Sequence, residues 1–219
     1  LNSAAKGAIA EYFWEQYMPR LKTHDITSVY FESGSSIAYV SRKFIEYVKH
    51  EGWFDEHRMH ETVKLRTNNL LTYLDFLLVE PPWKPIDIQL LPPGFFSNDY
   101  GATYGPLMSA MKVPAPGAKS RERLLPPDAR AAVEELKDEM ATQFSRQHGV
   151  ALMTTSGVDI DTASPFPGPH VGSYYNMLIK RCLFALPCPK VLFVDEHKWG
   201  YPFGGGTCHP VCGGSLPWD

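Results

Sequence analysis

Hydrophobic positions recur along this chain in two rhythms, and the alternation between them predicts the elements. Ala5, Ala8, Ile9, Tyr12 and Phe13 follow helical spacing, with Pro19 expected to close the segment. Ile26 to Phe31 is β-branched and aromatic, as expected of a buried strand. A Ser-Gly-Ser-Ser turn follows, and then Ile37, Val40, Phe44, Ile45 and Val48 line one helical face. Thr62–Thr67 and Ile86–Leu91 predict further strands, separated by an apolar stretch from Leu70 to Val79 that Asn68 opens. A short helix is expected over 103–112 and an exposed loop from Pro114 to Pro127. Pro127-Asp128 opens a helix with Ala132, Val133, Leu136, Met140 and Phe144 inward. Val150–Thr155 is a strand stopping at Ser156-Gly157, and Pro165–Gly172 a loop. Val171, Tyr175, Leu178, Ile179 and Cys182 mark a helix that Pro187 ends, before a last strand at Lys190–Val194.

Strands alternating with helices predict an α/β, Rossmann-like fold, with a mainly parallel sheet flanked by helices on both faces. Its 219 residues suffice for a well-buried core, read as one domain over 1–219 with an inserted helical and loop segment near 113–147. Hydrophobic residues at 44%, charged residues at 21% and a net charge of −3 are ordinary values, and Lys and Arg are scattered singly. That balance gives no attraction to nucleic acid or an anionic membrane. No apolar run has the length of a membrane span, the first residues lack a signal-peptide pattern, and four cysteines are too few for a disulfide scaffold. The expectation is a cytoplasmic protein without direct nucleic-acid or membrane contact.

In a parallel α/β sheet, ligands bind beyond the carboxyl ends of the strands. Those ends are Ser33-Gly34-Ser35-Ser36, Thr67-Asn68-Asn69, Pro93-Gly94, Ser156-Gly157-Val158-Asp159 and Asp195-Glu196-His197-Lys198, all polar or glycine-rich. The turn at Gly34 has the clearest chemistry, because free N–H groups and the positive end of a helix dipole favour an anion. The competing account is a serine that merely caps its helix. Lys198 offers an ammonium for a phosphate or carboxylate, with Asp195 to orient it, or the two form a solvated pair of little energetic consequence. Cys208-His209-Pro210-Val211-Cys212 has a C-x₃-C spacing used by zinc sites. Cys182 and Cys188 are spaced otherwise, however, and Cys182 belongs to a helix face, so neither metal nor cofactor is expected. No G-x-S-x-G elbow, H-E-x-x-H helix or other catalytic pair is evident.

The order of these motifs resembles the effector-sensing domain of DeoR-type transcriptional regulators. Lys6-Gly7-Ala8-Ile9-Ala10 and Glu32-Ser33-Gly34-Ser35-Ser36 are similar to its opening helix and Asp-x-Gly-Thr-Thr turn. Thr67-Asn68-Asn69, Gly105-Pro106, Ser156-Gly157-Val158-Asp159, Ile179-Lys180-Arg181 and Asp195 to Gly200 follow in the family's order. The resemblance implies the fold shared with ribose-5-phosphate isomerase A, glucosamine-6-phosphate deaminase and coenzyme A transferases. It further implies a phosphorylated sugar or related metabolite as ligand and a homo-oligomer as the assembled form. Ser33, Gly34, Ser35 and Ser36 would hold the phosphate and Lys198 would assist. Thr67, Asn68, Gly94, Gly157, Asp159 and Asp195 would surround the rest.

Glu32 stands where the family has Asp, Ser35-Ser36 where it has a Thr pair, and Asn176 where an acidic residue often precedes the Lys-Arg step. A winged helix-turn-helix would precede Lys6 in the family, and with five residues there this chain is not expected to contact DNA itself. The sequence therefore predicts a small-molecule sensing domain, with a sugar-phosphate isomerase or hydrolase on the same fold as the alternative.

Overall fold

A computed structural model describes residues 3–23, 25–50, 63–79, 87–92, 102, 127–143, 148–163, 167–172, 174–200 and 209–211. The predicted helix at 103–112, Gly94, Gly105-Pro106, Cys208, Cys212 and residues 114–126 of the expected loop lie outside them. In chain order the elements are α1 (Ser3–Lys22), β1 (Ser28–Phe31), α2 (Ser35–His50), β2 (Lys64–Thr67), α3 (Leu70–Leu77) and β3 (Asp87–Leu90). Then come α4 (Pro127–Gln143), β4 (Gly149–Thr154), β5 (Gly157–Asp159), β6 (Gly168–Val171), α5 (Tyr174–Ala185), β7 (Lys190–Phe193) and β8 (His209–Pro210).

Five strands form one all-parallel sheet in the order β3-β2-β1-β4-β7. The period of two along a strand decides which core each side chain joins. Val29 and Phe31 of β1, with Val150 and Leu152 of β4, meet Phe13, Trp14, Phe44 and Phe76 from α1, α2 and α3. Tyr30, Ala151 and Met153 point the other way, to Leu136 and Met140 of α4 and Leu178, Ile179 and Cys182 of α5. β1 and β4 are buried along their whole length, as a parallel sheet covered on both faces requires. This is the α/β, Rossmann-like architecture that the alternating pattern predicts.

Polar anchors fix the layers. The Trp14 indole N–H donates to Val40 O at 2.7 Å, pinning α1 on α2. The Tyr30 hydroxyl crosses to Leu91 O at 2.5 Å, tying the chain beyond β3 to the sheet. Arg66 holds Asp87 with paired bonds of 2.9 and 3.0 Å, joining β2 to the start of β3.

The apolar stretch expected to open at Asn68 is the helix α3, capped by Asn69. Three expectations need correction. Pro19 lies inside α1 rather than closing it. Its missing N–H forfeits one helical bond, to Glu15 O, and in the last turn the helix has only three residues left to carry past it. Ser156 to Asp159 does not stay a turn, since Gly157–Asp159 is β5, paired antiparallel with β6. The expected loop at 165–172 supplies β6, and His209–Pro210 of the Gly-rich tail adds β8. These strands are two to four residues long and hold Gly and Pro, so local propensity argues against each, and only mutual pairing makes them strands. The small sheet packs through Val171 and Val211 against the core containing α4 and α5. Among the described residues no helix is long and apolar enough to cross a membrane.

Candidate functional site

From β1 the chain builds outward one way through β2 and β3 and the other way through β4 and β7. The switch point of the sheet, where such sheets take ligands, therefore lies between the carboxyl ends of β1 and β4. Phe31 pairs with Leu152, while β4 runs two residues further to Thr154 and overhangs the turn after β1. A side chain at Gly34 would put its first carbon 2.3 Å from Thr154 Oγ1, so only glycine permits this approach. The first N–H to fold back into α2 is that of Ala38, to Gly34 O at 3.1 Å. The N–H groups of Ser35, Ser36 and Ile37 thus have no intrahelical acceptor, and Gly34 has no side chain with which to cap them.

The neighbouring turn is closed by its own residues. The Ser33 N–H donates to Asn68 Oδ1 at 2.7 Å, and Asn69 Nδ2 donates to Ser33 Oγ at 3.2 Å. The Asn69 N–H donates to Thr67 Oγ1, and Asn69 Oδ1 accepts the Thr72 N–H, both at 3.0 Å. Ser33, Thr67 and Asn68 are buried and hold the two turns in register. Of the predicted phosphate-binding group, Gly34, Ser35 and Ser36 stand at the open helix end.

Charge gathers around this rim. Lys6 of α1, 8% exposed, donates from Nζ to Ser35 Oγ at 2.8 Å, and no carboxylate among the described residues pairs with it. Beneath the turn, Glu32 Oε2 accepts the Thr154 N–H at 3.0 Å and forms an ion pair with Lys180 of α5. Both side chains are fully buried, and Glu32 Oε1 has no hydrogen-bond partner among the described residues. Burial pushes the Glu32 carboxyl above its usual range, against the pull of Lys180, the Thr154 N–H and Lys198. Burial likewise pushes the Lys180 ammonium down, against the pull of Glu32. Asp195 precedes and Lys198 ends the 3₁₀ turn Glu196–Lys198 after β7, with Nζ 3.5 Å from Oδ2. Lys180 is thus matched by Glu32 and Lys198 by Asp195, while Lys6 has no ion-pair partner among the described residues.

Other predicted site residues lie apart from the turn. Gly157 is the first residue of β5, its N–H directed to Thr155 Oγ1 at 3.4 Å. Asp159, at the end of β5, accepts the Asp161 N–H at 2.9 Å and borders a cleft of about 490 Å³. That cleft runs between the small sheet and β7, bounded by Val158, Ile160, Leu192, Val194 and Trp199. Gly94 lies outside the described residues. Among the described residues no cluster of His, Cys, Asp and Glu could hold a metal ion. Cys182 and Cys188 are buried free thiols, and burial pushes Cys182 up to about 12.

Reading the strand ends alone misses Lys6, Glu32, Lys180 and Thr154. Lys180 carried a signal, since it interrupts the apolar run Met177 to Ile179 in a helix otherwise read as core. Glu32 follows an apolar strand directly, a charge set against a core segment. Nothing local marks Thr154, whose role comes from the overhang of β4. No family model, curated protein or solved structure matches this chain.

Proposed function

We propose that the chain is a small-molecule sensing domain that takes a phosphorylated sugar or related metabolite, its phosphate seated at the Gly34–Ser36 turn. One observation carries this reading. The open N-terminus of α2 and the Lys6 ammonium, which has no ion-pair partner among the described residues, converge on Ser35, and an anion there would complement both positive potentials. The Glu32–Lys180 pair fixes the turn from below. Lys198, paired with Asp195, is a second cation whose charge reaches Glu32. In this reading occupancy passes to a partner domain or subunit of a cytoplasmic homo-oligomer, after the manner of the transcriptional regulators that the motif order resembles.

A sensor is favoured over a catalyst because the strongest acid–base pair, Glu32 with Lys180, is closed to solvent and to substrate. Asp195 is the carboxylate left for proton transfer at the rim, and it is held by Lys198. Thermal-shift measurements with phosphate and a panel of sugar phosphates test the assignment through ligand linkage. Stabilisation of the wild type, lost in the Ser35→Ala/Ser36→Ala variant, is expected. No shift with any phosphorylated compound would end the anion-site reading. Turnover of the best ligand that disappears in Asp195→Asn would replace the sensor with a sugar-phosphate isomerase or hydrolase.

A further inference from the structure

We propose that Ser35 and Lys6 form a nucleophile and base pair that cleaves carboxylic esters through an acyl-serine, with open N–H groups of α2 holding the oxyanion. The inference goes beyond the sensing role, and shares with it the open end of α2 and Lys6 but not the ligand. Ser35 begins α2 and is exposed, whereas Ser33 and Ser36 are buried. Ser35 is therefore the hydroxyl of this turn that an incoming molecule can reach. Lys6 Nζ stands 2.8 Å behind its Oγ, and the lysine is only 8% exposed. The pair bridges two helices. The Trp14 indole, bonded to Val40 O, holds α1 against α2, so core packing sets the spacing rather than a free surface chain.

A serine hydroxyl is a weak nucleophile until a base within hydrogen-bond reach takes its proton. Lysine can be that base, since serine–lysine sites recur on unrelated folds. At 2.8 Å the ammonium donates to Ser35 Oγ, and the neutral amine accepts the Ser35 proton across the same gap. Binding an anion and cleaving an ester therefore draw on two protonation states of one side chain. No carboxylate among the described residues pairs with Lys6, so none competes with Ser35 for its nitrogen. As Oγ bonds to the ester carbon, Lys6 Nζ takes its proton and the carbonyl electron pair moves onto oxygen. The N–H groups of Ser35 and Ser36, which have no intrahelical acceptor, are the donors beside that charge. The electron pair returns, the bond to the alcohol oxygen breaks, and the departing alkoxide takes the proton from Lys6. Water then repeats the sequence on the acyl-serine, releasing the carboxylic acid and restoring Ser35 and Lys6. Esters are assigned over amides because the alcohol oxygen is the easier leaving group for a site built from two side chains.

Stopped-flow release of p-nitrophenolate from p-nitrophenyl acetate, with peptide mapping of the quenched protein by mass spectrometry, tests this on the whole chain. A burst of about one equivalent and an acetyl group mapped to Ser35 are expected. Ser35→Ala, a change at an exposed site, should abolish the burst. Lys6→Arg keeps a cation and a donor but cannot accept the proton, and should slow Ser35 acylation by about a hundredfold or more. Acetylation confined to lysine amines, or a burst unchanged in Ser35→Ala, would overturn the inference, as would wild-type acylation of Ser35 in Lys6→Arg. Calorimetry of the wild type with inorganic phosphate reads the anion site separately. Phosphate binding without Ser35 acylation would leave the anion reading standing alone, and Ser35 acylation without phosphate binding would leave only the ester-cleaving pair.

Discussion

Two helices begin side by side on this sheet, and they begin differently. α3 starts at Asn69, whose side chain accepts the Thr72 N–H while its own N–H is taken by Thr67. α2 starts at Gly34, which offers no side chain, and the cation nearest its first turn is Lys6. The first helix end is finished by neutral groups from its own chain. The second is left electropositive, stands over a buried ion pair, and lies at the switch point of the sheet. Burying a pair of charges and leaving a helix end uncapped both cost free energy, so the two together mark a place shaped by something other than stability. The difference separates a structural turn from a binding turn, although both follow strands and both are rich in hydroxyl and amide side chains.

The largest test concerns the floor beneath the open turn. Lys180→Met alone should cost about 3–5 kcal/mol in denaturant unfolding at neutral pH, because it leaves the Glu32 carboxylate buried without its cation. Adding Glu32→Gln should recover most of that loss while keeping an acceptor for the Thr154 N–H. The pH dependence has a definite sign. A carboxyl raised in the folded state contributes stability at pH below its unfolded pKa and loses it as pH rises through the folded pKa. The Lys180→Met penalty should therefore shrink as pH falls, and a penalty independent of pH would show that Glu32 is not the group left exposed to it.

Next in size is the contact between the turn and β4. Gly34→Ala should lower stability by about 1–3 kcal/mol, since the new methyl meets Thr154 at its hydroxyl and at carbons 3.1 and 3.3 Å away. Gly34→Ala/Thr154→Ala should recover part of it by removing the closest atom. Urea melts of the two variants compare them directly. Full stability in the single variant would mean that β4 does not overhang the turn.

How far this contrast could be read in the sequence depends on its range. The parallel sheet, the order of its elements and the Gly34 turn rest on local patterns, the apolar strands and amphipathic helices, and these are legible from spacing. Ser33 and Asn68 are correctly placed near the turn, but their hydrogen bonds span thirty-five positions, and the sequence does not tell a residue that holds a ligand from one that holds the neighbouring turn. Lys6 and Lys180 come to the site from helices on opposite faces of the sheet, so their convergence is a product of tertiary packing. The small sheet was illegible for another reason, since β6 is built from Gly168, Pro169, His170 and Val171, a composition that reads as loop until its partners are known.

The closed helix end gives a smaller and selective effect. Asn69→Ala removes the cap of α3 and a donor to Ser33, and should cost about 0.5–2 kcal/mol of stability in thermal or chemical unfolding. Ser35→Ala/Ser36→Ala, at the open end, should change stability little and phosphate binding strongly. If the two variants behave alike in both measurements, the division into structural and binding turn fails.

Lys6→Met is the smallest perturbation of the fold and the sharpest of the comparison. Lys6 has one hydrogen bond, to Ser35, and no ion pair among the described residues, so its removal breaks no charge balance and relieves a cation held at the positive end of α2. Stability without ligand should stay level or rise by a few tenths of a kcal/mol. Phosphate affinity should fall by roughly tenfold or more, the consequence of losing a hydrogen bond between charged partners of about 1.5–3 kcal/mol. The salt dependence of binding should also flatten, because one of the cations facing the anion has gone. Calorimetric titration with inorganic phosphate at two ionic strengths, beside a denaturation curve of the apo protein, reads all three quantities. A variant that loses stability but keeps its phosphate affinity would make Lys6 a structural bolt between α1 and α2, and the open end of α2 would then need another reason to be open.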